Sequence, residues 1–137
     1  MTKKNKAIQI IELGVKSYND TLKIQEELFQ KTIELKSKNR KEDTQVSTEN
    51  YLLWVEHTPV ITLGKSGKIK HLLIGERQLK EKGIEYYPTN RGGDITFHGP
   101  GQIVGYPIMD LDNFFTDIHK YLRYLEEAIL LTLEEYD

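Results

Sequence analysis

The residues best suited to chemistry lie in one glycine-rich segment, residues 91–102, with the sequence RGGDITFHGPGQ. Thr96 and His98 are two positions apart, so in an extended strand the hydroxyl and the imidazole share one face. Ile95 and Phe97 then occupy the other face, where we expect them to pack into the core. Four residues allow close approach of a ligand or a positive φ: Gly92, Gly93, Gly99 and Gly101. The segment therefore predicts a hydroxyl and an imidazole beside a glycine-rich bend.

Composition alone leaves other interpretations of this segment open. Arg91 could hold a carboxylate, a phosphate or a group of a partner with its planar guanidinium. The glycines could equally form two hairpin turns, and His98 could be a hydrogen-bonded structural histidine. The pattern matches neither a nucleotide P-loop nor a dinucleotide-binding fingerprint. The four histidines lack the spacing of a zinc site, so we predict no metal.

The pattern of apolar residues predicts the elements that position this segment. The predicted strands are residues 7–13, 51–57 and 60–64, with further strand-like residues on both sides of the glycine-rich centre of 85–111. The predicted helices are residues 18–38, 72–82 and 115–136, and 37–50 is expected to be an exposed connection. Strands that alternate with helices predict a mixed α/β domain.

Charge and composition narrow the class of protein. With 38% hydrophobic and 29% charged residues, no long apolar run and no secretory signal, the sequence predicts a cytoplasmic protein that does not enter a membrane. The absence of cysteine excludes disulfides and cysteine nucleophiles within these residues. A basic cluster lies at Lys65, Lys68, Lys70, Arg77, Lys80 and Lys82. It is either a solvated surface or a docking face for an acidic partner, and no nucleic acid is expected because aromatic residues are not interleaved with it.

Two motifs resemble those of the octanoyltransferases, also called lipoyl (octanoyl) transferases. The run RGGDITFHGPGQIVGYPIMDL resembles the family signature, in which Arg-Gly-Gly, Thr-x-His and Gly-Pro-Gly-Gln precede a Tyr-Pro-Ile strand. Upstream, VEHTPVITLGKSG resembles the Glu-His-x-Pro-Val-x-Thr-x-Gly motif of the family. The leading stretch IELGVKSYNDTLKIQEELF is also similar to the opening of the family, so the resemblance covers essentially the whole chain.

The resemblance implies a particular fold. The expected fold is α/β (α+β), a mixed sheet flanked by helices as in the biotin and lipoate ligases and the class II aminoacyl-tRNA synthetases. Residues 1–137 would be the N-terminal part of a single octanoyltransferase domain, and residues 49–137 would be a partial catalytic core. The fold would be incomplete at its C-terminus, with an open sheet edge and an exposed helix face over 118–136.

The resemblance also implies an activity. Members of the family take an octanoyl group from acyl carrier protein and deliver it to a lysine of lipoyl domains, in the 2-oxoacid dehydrogenases and the glycine cleavage H protein. The reaction is a ping-pong acyl transfer, in which a cysteine thiolate attacks the thioester and a nearby lysine lowers the pKa of the thiol. No cofactor is expected.

The family's substrate site can be carried over to matching positions of this sequence. The acyl-substrate pocket would be lined by Arg91, Gly92, Gly93, Asp94, Ile95, Thr96, Phe97 and His98. Supporting positions would be His57, Gly99, Gly101 and Gln102. His98, together with backbone amides, would polarise the thioester carbonyl.

The sequence departs from the family in one respect. Neither the nucleophilic cysteine motif nor the activating lysine motif occurs in these 137 residues, so the chain alone is predicted to be inactive. Truncation is the favoured explanation, and two alternative functions stay open. One is a non-catalytic fragment that binds acyl carrier protein or a lipoyl domain. The other is an ATP-using lipoate or biotin ligase, against which the Gly-Pro-Gly-Gln at 99–102 argues.

Overall fold

The computed structural model describes residues 3–136, which form six strands and three α-helices. The strands are β1 (Ile8–Lys16), β2 (Asn50–His57), β3 (Val60–Leu63), β4 (Glu85–Pro88), β5 (Ile95–His98) and β6 (Ile103–Ile108). The helices are α1 (Tyr18–Glu42), α2 (Glu76–Glu81) and α3 (Ile118–Glu134), with short 3₁₀ turns at Ile69–His71 and Leu111–Asn113. None of the helices described combines the length and the apolar character that a membrane crossing requires.

The strands form two three-stranded mixed sheets, in the orders β1-β2-β6 and β4-β3-β5. In each sheet the central strand has one parallel and one antiparallel neighbour. The register places Val60 opposite His98 and Thr62 opposite Thr96. The expected α+β architecture is therefore confirmed, although two small sheets replace the single mixed sheet of the prediction.

Local chemistry explains where the first helix begins and ends. The side chain of Ser17 accepts a hydrogen bond from the Asp20 backbone N–H, which caps the start of α1. The helix ends at Asp43, which adopts a left-handed conformation with φ of 51°. Because residues 37–42 contain neither glycine nor proline, α1 continues to Glu42 instead of ending near residue 38. The expected connection over 37–50 was wrong there, and again at Asn50, which is fully buried.

The core is small and lies mainly along β2 and β3. Alternation along β2 buries Leu53, Val55 and His57 and leaves Trp54 39% exposed. In contrast, no residue of α3 is buried. The apolar side chains exposed on α3 include Ile118, Leu122, Ile129, Leu130, Leu131 and Leu133. The helix face that the sequence predicted to be exposed is thus exposed in the structure.

One expected core residue does not pack in the core. Phe97 is 47% exposed, because no other element of the described region covers the face of β5 on which its side chain lies. Its ring covers Gly99 instead, where an added Cβ would come within 2.7 Å of the ring. The prediction that Phe97 packs inward was therefore wrong.

Candidate functional site

Two glycine loops that are distant in the sequence are joined by backbone hydrogen bonds. The N–H of Gly64 donates to the Asp94 carbonyl at 3.0 Å, and that of Lys65 donates to the Arg91 carbonyl at 2.9 Å. A third bond, of 3.2 Å, runs from the Ser66 N–H to the Gly93 carbonyl. The loop that follows β3 and the loop that precedes β5 therefore form one rigid unit.

The close contact between these loops requires glycine. A Cβ on Gly64 would lie 2.2 Å from the Gly93 carbonyl oxygen, a distance that real Cβ atoms do not adopt. Gly93 has φ of 86°, in the left-handed region that favours glycine. Both glycines are thus needed for the structure of the loop pair.

Arg91 holds this unit in place from inside. Its Nη2 donates to the Thr62 carbonyl at 2.9 Å and to the Asp94 carbonyl at 2.8 Å, while its Nη1 donates to the Gly92 carbonyl at 2.8 Å. The Thr62 hydroxyl accepts a further bond from Nη2 at 2.8 Å. The guanidinium fork, for which the sequence allowed a ligand carboxylate or phosphate, therefore binds carbonyls of its own chain.

Asp94 connects the loop pair to the segment that carries the basic cluster. Its carboxylate contacts Nδ1 of His71, in the 3₁₀ turn after Lys68. Partial burial opposes ionisation of Asp94, but His71 and the amides of Ile95 and Lys68 outweigh it and lower the pKa of the carboxyl. The carboxylate thus stays charged beside the imidazole of His71.

A cluster of aromatic and imidazole rings lies where the two sheets meet. His57, at the end of β2, is fully buried and has partners at both ring nitrogens. Its Nδ1 is 3.0 Å from the Lys16 carbonyl oxygen, and its Nε2 is 2.7 Å from the hydroxyl of Tyr106 on β6. Tyr18, the first residue of α1, packs its ring 5.7 Å from that of His57.

His98, at the end of β5, completes this cluster from the other sheet. Its ring lies 6.2 Å from that of His57, edge to face. Its Nδ1 is buried and has no hydrogen-bond partner among residues 3–136. Burial, then His57 and then Arg91, lower the pKa of His98, so the ring is neutral near pH 7. A buried nitrogen without a partner is rare and marks a position where a bound group could supply the missing bond.

Other expected residues lie on β5 and in the turn that follows it. Thr96 lies opposite Thr62, and Ile95 lies opposite Leu63. The Gly101 N–H donates to the Glu56 carboxylate at 2.9 Å, and the Gln102 N–H closes the turn onto the Gly99 carbonyl at 3.2 Å. The structure therefore brings His57 and His98 together, as expected, with residues 99–102 forming the turn beside them.

The cavity next to the ring cluster is lined by residues that the sequence did not single out. It has a volume of about 350 Å³ and is lined by Tyr18, Leu22, Glu26, Tyr87, Pro88, Thr89 and Asn90. Tyr18 and Tyr87 have ring centroids 5.4 Å apart, and Tyr18 joins them to His57. This cavity and four others in the described region have no lining residue between 91 and 98.

Sequence reasoning also missed Tyr18 and Tyr106. Both were present in quoted motifs, Tyr106 in the Tyr-Pro-Ile strand and Tyr18 at the predicted helix start. The sequence could have pointed to these tyrosines, because the hydroxyl of a half-buried tyrosine needs a polar partner and a nearby histidine can be that partner.

The fold itself matches a known class. A T. acidophilum protein assigned as a lipoate protein ligase and solved with bound lipoic acid superposes with a TM-score of 0.56 at 16% identity, over 92% of this chain and 46% of that one. The family model of the lipoyl protein ligase A/B catalytic domain matches residues 17–137. The chain belongs to this family.

Within the family, the chain is similar to octanoyltransferases. It is 61% identical to the octanoyltransferase of Christiangramia forsetii over 132 residues, which are 96% of this chain and 56% of that protein. It is 62% identical to that of Flavobacterium johnsoniae, over 96% of this chain and 57% of that protein. The resemblance stated from the motifs is thus confirmed, and the chain spans little more than half the length of these relatives.

Proposed function

We propose that the complete protein carrying this chain transfers an octanoyl group from acyl carrier protein to a lysine of lipoyl domains. The proposal is supported by the octanoyltransferases that are about 60% identical over nearly the whole chain. The observation within the structure that carries it is the unpaired, buried Nδ1 of His98 beside the joined glycine loops.

The acyl chain is proposed to lie in the 350 Å³ cavity between α1 and β4. Tyr18, Leu22, Tyr87 and Pro88 give this cavity apolar surface for an aliphatic tail, although its lining also includes polar residues. Asn90, one of these polar residues, directly precedes Arg91, so the tail would enter beside the glycine loop. Residues 91–98 would then flank the carbonyl end of the substrate rather than enclose its tail.

His98 is proposed to act on the thioester carbonyl. A neutral imidazole has one N–H, and a ring with a lowered pKa keeps that form near neutral pH. Donation of this hydrogen to the carbonyl oxygen would stabilise the negative charge that develops when a thiolate attacks the carbonyl carbon. Backbone amides of the glycine loop would add to the same effect.

The transfer step itself is proposed for residues that this chain does not contain. The 137 residues include no cysteine, so we propose that the chain alone binds the acyl group without turning it over. No cofactor is proposed, because a thioester is already activated for attack. The acidic donor is proposed to dock on the basic cluster, whose Lys65 amide is bonded to the Arg91 carbonyl.

The test is the substitution His98→Ala in the complete protein. We expect octanoyl transfer to a lipoyl domain, followed by the mass increase of the acceptor, to fall by about 100-fold or more. His119→Ala is the matched control, since His119 lies exposed near the start of α3, and its activity is expected to equal wild type. Transfer by His98→Ala at the rate of the control, with an intact fold, would refute the proposed role.

A further inference from the structure

We propose that Tyr106 is a positioning residue, which holds the ring of His57 in place through a hydrogen bond to Nε2 and through it fixes the environment of His98. This inference rests on the proposed function, because it explains how His98 is kept ready for the acyl carbonyl. Tyr106 lies on the sheet that does not contain His98. The inference depends on the two hydrogen bonds of His57 and on the contact between the rings of His57 and His98.

The two hydrogen bonds of His57 determine which nitrogen carries the proton. The Lys16 carbonyl oxygen, 3.0 Å from Nδ1, can only accept, so Nδ1 must be the protonated nitrogen. Nε2 of the neutral ring then has a lone pair and accepts from the Tyr106 hydroxyl at 2.7 Å. Tyr106 is therefore the donor, and the pair allows one tautomer of His57.

Tyr106 is well suited to remain the donor. Burial, and secondarily the neighbouring Tyr18, raise the pKa of Tyr106 to about 12. The phenol therefore keeps its proton throughout the range in which proteins function. The position is rigid, because Tyr106 lies within β6 and is paired with Leu53 on the central strand.

The ring contact transmits this constraint to His98. The imidazoles of His57 and His98 pack at 6.2 Å with an interplanar angle of 76°, and His57 also packs on Tyr106 at 5.8 Å. Without the Tyr106 hydroxyl, buried Nε2 would lack a donor. The Nε2 lone pair would then be buried without a partner, and the ring would lose one of the two bonds that fix its orientation beside His98. This loss alters the surroundings of His98.

The experiment compares Tyr106→Phe with Tyr87→Phe. Both variants keep an aromatic ring in the cluster and lose one hydroxyl, but only that of Tyr106 contacts an imidazole in the bonds described here. Ring ¹⁵N spectra of the histidines report the tautomer directly. The first measurement is made on the wild-type protein. There we expect His57 to show Nδ1–H alone, with Nε2 as a hydrogen-bonded acceptor.

In Tyr106→Phe we expect the Nε2 signal of His57 to lose its hydrogen-bond shift while Nδ1–H stays bonded to the Lys16 carbonyl, and the ring signals of His98 to move. Octanoyl transfer by the complete protein should fall by up to about 100-fold, because a small misplacement of a group near the reacting atoms can cost that much. Tyr87→Phe should keep the wild-type signals of His57 and His98.

The inference and the proposed function can fail separately. An Nε2–H tautomer of His57 in the unsubstituted protein, or an unchanged His57 spectrum in Tyr106→Phe, would overturn the inference whatever the transfer rates. Transfer by Tyr106→Phe at the wild-type rate would overturn it as well. Undiminished transfer by His98→Ala would instead count against the proposed function.

Discussion

Two polar clusters lie inside this small protein, and they differ in how fully their hydrogen bonds are made. The first, which we call the Asp110 cluster, consists of Thr48, Asn50, Asp110 and Asn113, all at least 90% buried. The Asp110 carboxylate accepts from the Thr48 hydroxyl at 2.7 Å and from Lys36 Nζ at 2.8 Å. Asn113 donates to Thr48 at 2.9 Å and to Asn50 at 3.2 Å.

The second cluster, at the junction of the sheets, is incompletely bonded. Within residues 3–136, the buried side-chain polar atoms that lack a partner are Thr58 Oγ1 and His98 Nδ1. Both belong to this region, since Thr58 directly follows His57 in the chain. Burying a polar atom without a partner costs free energy, and a bound group is one way to supply the missing bond. The difference contrasts a cluster whose hydrogen bonds are complete with one that we propose to bind the substrate.

The largest effect on stability is expected from Asp110→Ala. The substitution leaves the Thr48 hydroxyl without its acceptor and Lys36 without its buried partner, so we expect the free energy of unfolding to fall by about 3 kcal/mol. Urea unfolding followed by circular dichroism measures this change.

Asp112→Ala is the matched control for that measurement. Asp112 also pairs with Lys36, at 2.6 Å, but its side chain is 62% exposed. Exposed ion pairs contribute less than about 1 kcal/mol. Equal losses in the two variants would show that burial of the Asp110 cluster does not stabilise the fold in the way described.

The sequence predicted the local elements well, because their signals are local. Apolar spacing and Pro59 separated β2 from β3, and the glycine-rich centre was placed between strands, as observed. Strand periodicity put Thr96 and His98 on one face, and their opposite partners Thr62 and Val60 confirm the spacing. It failed at Phe97, because alternation does not tell whether anything covers the other face of a strand.

The site depends on contacts between distant residues, which local patterns do not encode. The partners of His57 are separated from it by 41 and 49 positions, and Arg91 contacts Thr62 across 29. The sequence therefore identified His57 and His98 through the family motifs but assigned no role to Tyr106. The sequence also suggested that Arg91 binds a ligand group, because the order of residues does not show that nearby backbone carbonyls accept its hydrogen bonds.

A second, smaller effect is expected from His98→Leu. Leucine removes the unpaired Nδ1 and keeps a side chain of similar size, so no existing hydrogen bond of that atom is lost. We expect the free energy of unfolding to stay within about 1 kcal/mol of wild type, or to rise, although transfer by the complete protein is lost. A loss as large as that of Asp110→Ala would place His98 among the residues that hold the fold.

The smallest expected effect is on the pH dependence of the free energy of unfolding. The two clusters contribute to this dependence in different pH ranges. Burial disfavours the charge on Asp110, but bonds from Lys36, Thr48 and the Asp112 amide outweigh it and lower the pKa from 3.8. Its stabilising contribution is therefore present above pH 3.8 and is lost as the pH falls through the lowered pKa of the folded state.

His98 affects the free energy of unfolding in a higher pH range. Burial, His57 and Arg91 lower its pKa from 6.5, so below pH 6.5 the unfolded chain binds the proton more readily than the folded protein. Stability should then rise with pH from the lowered pKa up to 6.5, and no further contribution is expected above it. Urea unfolding across this range should show a shallower rise for His98→Leu than for wild type, while Asp110→Ala should keep the wild-type slope there. A slope near pH 6 that is the same in wild type and His98→Leu would mean that the half-buried imidazole does not resist protonation, and the contrast between the clusters would lose its electrostatic basis.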